Sequence, residues 1–176
     1  MNRPGNQLLR QMSSKHLFGA PFGVPHFFLV LFVWCSLSVP SFADDAVVAR
    51  VANTDFRVAH DALIEAIEGE GLVVGSVLPF RDMLSRTVQP GAVIPYAEAE
   101  VVQFCSSLLA AELVSEAPAQ LTLCPLSIAL YTLAENSSMI HFAYRSPGKA
   151  TAGRKRAEAL LQRIVQRAAE LARLRW

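Results

Sequence analysis

The chain has 176 residues, 52% of them apolar and only 18% charged, with a formal net charge of +1. Ordinary soluble chains are about 45–50% apolar and about 25% charged, so an intrinsically disordered protein is excluded. Nine Gly and ten Pro exclude a collagen-like or low-complexity chain, and a single long apolar segment argues against a protein with several membrane spans.

That segment lies at the start. No Asp or Glu precedes Asp44, Arg3, Arg10 and Lys15 come first, and an apolar run from Phe27 to Val39 follows. The run exits through Pro40-Ser41-Phe42-Ala43. A basic region, a short apolar core and a small-x-small exit define a secretory signal. The core is shorter than the ~17–25 residues a spanning helix needs, and Pro40 interrupts its extension. Residues 1–43 are therefore expected to be a signal peptide cleaved after Ala43. An uncleaved anchor over 27–43 is the alternative, and Met12 is a second candidate start. Cys35 follows Trp34 rather than a small residue, which argues against lipid modification. The expected location is outside the cytoplasm, with the bacterial periplasm preferred over the extracellular medium.

Charge is divided along the remainder. Residues 44–144 carry thirteen acids against four bases, a net of −9, and residues 145–176 carry nine bases against two acids, a net of +7. Such halves read as an acidic body with a basic extension. The Pro/Gly/small-residue stretch 146–153 reads as a linker between them.

In the body, Val47, Val48 and Val51 begin a strand over 46–52. Asn53-Thr54-Asp55 is a helix-start cluster, and Phe56, His60, Leu63 and Ile67 fall on one helix face ending near Gly69-Glu70-Gly71. A second strand is predicted over 72–78, and Pro79 opens a short helix over about 80–88. Residues 92–97 read as loop and 99–105 as a third strand. Ser106 and Ser107 cap a helix running to Glu116. Residues 121–133 are strand-like, with Pro125 marking a kink or an edge, 135–138 are a turn, and 139–145 return as a strand. In the extension, Ala157, Leu160, Leu161, Ile164, Val165, Ala168, Leu171 and Ala172 keep helical spacing. The order β-α-β-α-β-α-β-β followed by a helix predicts an α+β fold, a mostly antiparallel sheet with helices on one face. For the C-terminal amphipathic helix, docking on the acidic body of the same or a partner subunit is preferred over lying on an anionic membrane surface. No aromatic–basic interleaving suggests nucleic acid.

Several residues could carry chemistry. After the leader the chain keeps two cysteines, Cys105 and Cys124, and an even count in an oxidising compartment predicts a disulfide. Closing a loop of about 20 residues contributes about 3 kcal/mol on the chain-entropy account. The alternative is catalytic. Cys105 leaves a strand and enters a helix, where N–H groups favour a thiolate, and Cys124 would be its resolving thiol. A free buried pair is a third reading. His60, Met83, Met139, His141 and the cysteines are ligand types that suit copper or zinc, and a copper- or haem-handling module is kept as an alternative function. Met139 and His141 share a strand face, opposite Ile140, Phe142 and Tyr144. No metal-finger spacing, phosphate loop, G-x-S-x-G or H-E-x-x-H occurs, so an enzyme is not the preferred reading. Asn136-Ser137-Ser138 fits a glycosylation acceptor, relevant only in a glycosylating host.

The segments Val102-Gln103-Phe104-Cys105-Ser106, Leu123-Cys124-Pro125-Leu126 and Ile140-His141-Phe142-Ala143-Tyr144-Arg145-Ser146-Pro147 resemble the domain-of-unknown-function 302 family. Ala66-Ile67-Glu68-Gly69-Glu70-Gly71-Leu72-Val73-Val74 and Met83-Leu84-Ser85-Arg86-Thr87 fit the same layout. The resemblance spans about 46–147, within a domain placed at 44–147, and leaves 148–176 as linker and basic helix. It implies a compact α+β domain that tends to dimerise. It implies no activity or cofactor, and it makes Cys105, Cys124, Tyr144 and Arg145 the first positions to test. The leading expectation is an exported ligand-binding or accessory protein, a homodimer, with a Cys105–Cys124 disulfide.

Overall fold

The computed structural model describes residues 46–175. The signal peptide, its cleavage site and Cys35 lie outside the described residues. Strand β1 (Ala46–Ala52) leads into helix α1 (Phe56–Gly69), β2 (Val73–Leu78), the short helix α2 (Phe80–Thr87), β3 (Tyr96–Cys105) and α3 (Ser107–Glu116). A 3-10 turn (Pro118–Leu123) precedes the hairpin β4 (Leu126–Leu133) and β5 (Asn136–Arg145), and α4 (Ala152–Leu174) closes the chain. The five strands form one antiparallel sheet in the order β1-β5-β4-β3-β2. This is the α+β arrangement expected from the element order.

The helices start where the sequence signals them. Asp55 accepts the Arg57 N–H at 2.8 Å, Ser106 accepts from Leu109 at 3.3 Å, and Thr151 accepts from Arg154 at 3.3 Å. Each side chain thereby satisfies a donor that the first helical turn leaves unpaired. Helix α1 ends at Gly69, and Gly71, with φ +74, turns the chain into β2. Such a φ is open to glycine at no steric cost.

Element boundaries moved in three places. Residues 118–123 wind as a 3-10 turn rather than starting a strand, and β4 begins only at Leu126. Pro125 has no N–H to give the ladder. Strand β5 begins at Asn136, because Leu133 pairs with Asn136 and only Ala134 and Glu135 remain to turn. Strand β3 starts at Tyr96, where Pro95 O accepts the Ala134 N–H at 2.8 Å.

The core lies between the sheet and the α1–α4 layer. Strands contribute Val51, Val102, Phe104, Ile128, Leu130, Ile140, Phe142 and Tyr144, all nearly inaccessible to solvent. Alanines line the two helices, Ala59, Ala62 and Ala66 on α1 and Ala157, Ala168 and Ala172 on α4, all buried. Small side chains let two helix backbones approach closely.

Residues 148–176, expected as linker and basic helix, pack against the rest of the domain. Helix α4 supplies eleven buried residues and completes the same core. Its apolar face is covered by α1, β1 and β5, so the face that could rest on a bilayer is occupied within the chain. Among the described residues no helix is long and apolar enough to cross a membrane. The opposite charges of body and extension meet directly. Arg163 grips Glu70 through two bonds of 3.1 and 2.9 Å, Arg156 reaches Glu112 at 2.8 Å, and Arg175 bonds Glu65. Exposed pairs of this kind contribute about 0–1 kcal/mol each, whereas burying one large aliphatic side chain contributes about 1.5–3 kcal/mol. The apolar stripe therefore does most to hold α4 in place.

Candidate functional site

Strand β3 delivers Cys105 to the end of the sheet, where Ser106 caps α3. The chain runs out along α3, returns through the 3-10 turn, and reaches Cys124 just before β4. Phe104 pairs with Leu126, so the ladder itself brings the two cysteines to one end of the sheet. Both are free thiols, Cys105 exposed and Cys124 half-buried. The two thiols are close enough to influence each other's titration. Burial pushes the Cys124 thiol above its ordinary range, and the neighbouring Cys105 adds to that rise. A solvent-facing thiol therefore lies near a sheltered one whose titration is shifted upward. No disulfide joins them in this structure.

The surroundings are unusually apolar for a surface. Val73, directly opposite Cys105 in the β2–β3 ladder, is 78% exposed, and Leu108 in the first turn of α3 is 85% exposed. Leu121, whose carbonyl accepts the Cys124 N–H at 3.0 Å, is also exposed.

The other two first-choice positions do not join the thiols. Tyr144 faces the core, where its hydroxyl donates to the buried Glu158 at 2.9 Å. Burial, and then the bond to Glu158, push its phenol far above the usual range. Ser146 and Gln162 donate to the same carboxylate at 2.6 and 3.3 Å. Tyr144 is thus part of the fastening between β5 and α4. Arg145, the next residue, takes the opposite face and is exposed opposite Ala46.

The proposed metal ligands are also divided. His60 on α1 lies on the helical side, its Nδ1 2.5 Å from Glu100 Oε1. His141 and Met139 lie on the other face of the sheet, as their alternation predicts. Among the described residues no three of His, Cys, Asp and Glu gather as a metal cage.

That other face carries an arrangement the sequence reading missed. Phe80, Tyr96, Tyr131 and His141 form a row, with ring centroids 6.2, 5.5 and 4.7 Å apart in turn. The last pair is stacked with the planes only 4° apart. His141 is buried, and its Nδ1 has no hydrogen-bond partner. The row is built by strand register, since Tyr131 pairs with His141 across the hairpin. A Tyr and a His ten residues apart give no local signal of it.

Fold and site together define a small two-layer α+β domain with two neighbouring free thiols at one sheet end. The chain belongs to the family described as domain of unknown function DUF302, whose profile matches residues 48–173. The match continues through α4, beyond the limit near 147 drawn from sequence motifs, in keeping with the helix being part of the core. The chain is similar to the crystal structure of an uncharacterized conserved DUF302 protein from Bacillus stearothermophilus, at 16% identity and a TM-score of 0.52. The likeness covers 74% of this chain and 98% of that one, and it shows a shared fold. Among curated proteins, none matches this chain.

Proposed function

We propose that this chain is an exported accessory protein that acts through Cys105 and Cys124 as a dithiol–disulfide pair. The observation that carries the reading is an exposed thiol and a sheltered one brought to the same end of the sheet by the β3–β4 register. Cys105, as thiolate, attacks a disulfide sulfur of the substrate, forming a mixed disulfide and releasing one substrate thiol. Cys124 gives up its proton and attacks the Cys105 sulfur. The second substrate thiol leaves, and the Cys105–Cys124 disulfide remains. The substrate gains two electrons and the protein loses two, and the reverse sequence oxidises a substrate dithiol.

Mass spectrometry of the protein equilibrated across a series of glutathione redox buffers tests this. Expected is the joint loss of both thiols as one two-electron step, reversed by mild reductant. Two thiols that stay free under oxidising conditions would end the proposal. A disulfide that resists every reducing buffer would instead mark a permanent structural bridge.

We also propose a homodimer formed through the sheet face opposite α1 and α4. Antiparallel sheets with one solvated face ordinarily alternate apolar inward and polar outward. Here the outward positions include Val48, Val101, Ala129, Tyr131 and Ala143, none fully exposed. Ala129→Arg on this face should shift the light-scattering mass to that of a monomer. An unchanged mass, or a wild-type protein that is already monomeric, contradicts the dimer.

A further inference from the structure

Two sulfurs stand near each other, away from the other ligand-type side chains of the domain. The β3–β4 register brings Cys105 and Cys124 to one end of the sheet, neither is in a disulfide, and Cys105 acts on the titration of Cys124. Residues 71–80, 101–111 and 117–134, which carry and flank them, contain no charged residue, no His and no Met. The sheet holds the remaining candidates at a distance. Tyr131 pairs with His141 on one side and with Ala99 on the other, six residues along β3 from Cys105. That is about 20 Å at about 3.3 Å per residue, and Met139 lies farther along the same direction. His60 meets the sheet at Glu100, on the face opposite Cys105.

A donor set of two thiols is selective. Structural zinc takes four ligands and catalytic zinc three and a water. Iron–sulfur clusters take four thiolates, and hard cations take oxygen ligands. Among the described residues no three His, Cys, Asp or Glu gather to meet any of these. Thiolate selects soft ions, copper(I) among them, and for that filled-shell ion two opposed sulfurs are a complete coordination. With two thiolates the bound ion leaves one negative charge, a small one to place beside the exposed Val73, Leu108 and Leu121. The unequal exposure gives each sulfur a part. Cys105 meets the ion from solvent, and the half-buried Cys124 closes over it.

We propose that Cys105 and Cys124 form a two-coordinate site for copper(I). Binding exchanges the two thiol protons for the ion. Two S–H bonds break, two Cu–S bonds form, both protons go to water, and no electron is transferred. The inference uses the placement of the two sulfurs and not their exchange with a substrate disulfide.

The test offers copper(I), held on a chromogenic chelator under argon, to the reduced full chain. One copper should be withdrawn per chain, and X-ray absorption should show two sulfur neighbours and no nitrogen. Cys105→Ser, at an exposed position outside the core, should weaken the affinity at least a hundredfold, and His141→Ala should leave it within twofold. Zinc in tenfold excess should not displace the copper. Copper that stays on the chelator, Cys105→Ser that binds as tightly as wild type, or loss of binding in His141→Ala overturns the site. So does zinc taken up at one ion per two chains, which would make each thiol pair half of a four-sulfur site between copies. The glutathione-buffer titration keeps the two readings apart. A protein that oxidises reversibly there but leaves copper on the chelator loses the metal site and keeps the dithiol reading. One that takes copper but forms no disulfide keeps the metal site alone.

Discussion

Two neighbouring residues on α4 separate the forces that hold this helix. Ile164 is fully buried against the core, and Arg163 projects to solvent, where its side chain is 56% exposed and bonded to Glu70. Truncating Ile164 to Ala removes three carbon atoms from a packed interior and leaves a cavity, at a cost of about 2–5 kcal/mol. Truncating Arg163 to Ala removes an exposed ion pair worth about 0–1 kcal/mol. Glu70 keeps access to water and is not left as a stranded charge. Urea unfolding of the two variants, compared at unchanged m-value, reads each difference directly. Salt adds a second axis. At 1 M the screening length falls to about 3 Å, so the Arg163→Ala deficit should shrink and the Ile164→Ala deficit should persist. If Arg163→Ala costs as much as Ile164→Ala in 0.1 M salt, the claim that apolar burial docks α4 is wrong.

Tyr144→Phe should lower stability by about 1.5–3 kcal/mol, the usual worth of a hydrogen bond to a charged group, because Glu158 loses one of its donors. An unchanged urea midpoint would refute the fastening role and return Tyr144 to the candidates for chemistry. Glu116 ties α3 to the start of α4, accepting from Thr151 Oγ1 at 2.5 Å and Gly153 N at 2.8 Å, and these bonds hold its carboxyl below the usual range. A folded-state value below the unfolded one gives stability that is present above about pH 4.5 and is lost as pH falls through the lowered folded value. Glu116→Gln should therefore flatten the acid limb of a stability–pH curve, and an identical limb in the variant contradicts the assignment. Alkylation at pH 8 should modify Cys105 before Cys124, since the raised Cys124 thiol supplies less thiolate. Peptide mapping that finds Cys124 labelled first would reverse the proposed roles of the two sulfurs.

Much of the fold was legible in the sequence because its signals are local. The period of Ala157, Leu161, Ile164, Ala168 and Ala172 places one stripe of α4 in the core, and all five are buried. Alternation along β5 sent Ile140, Phe142 and Tyr144 to one face and Met139 and His141 to the other. The thiol pair was legible as a pair, but its closeness and unequal exposure depend on where β3 and β4 stop. What stayed hidden depends on register and on distant partners. His60 meets Glu100 across 40 residues, and Glu116 meets Gly153 across 37. Nothing near either residue marks its partner, because the hairpin turns and helix lengths that align them act only once the sheet is assembled. The extent of α4's packing was hidden for a similar reason. Its charge and the Pro/Gly stretch before it resemble a tether, while the cavity it fills is made by strands far upstream.

The sheet joins its first and fifth strands, and the last helix seals it. A ribosome that has just released Arg145 has supplied every strand but not the 23-residue helix that covers them. Contacts between elements this far apart in sequence form late, because the intervening chain must be ordered first. The nascent domain therefore has no closed interior until α4 has been made. Until then its strand faces, from Val51 to Phe142, are surfaces that a chaperone or a translocation channel can engage.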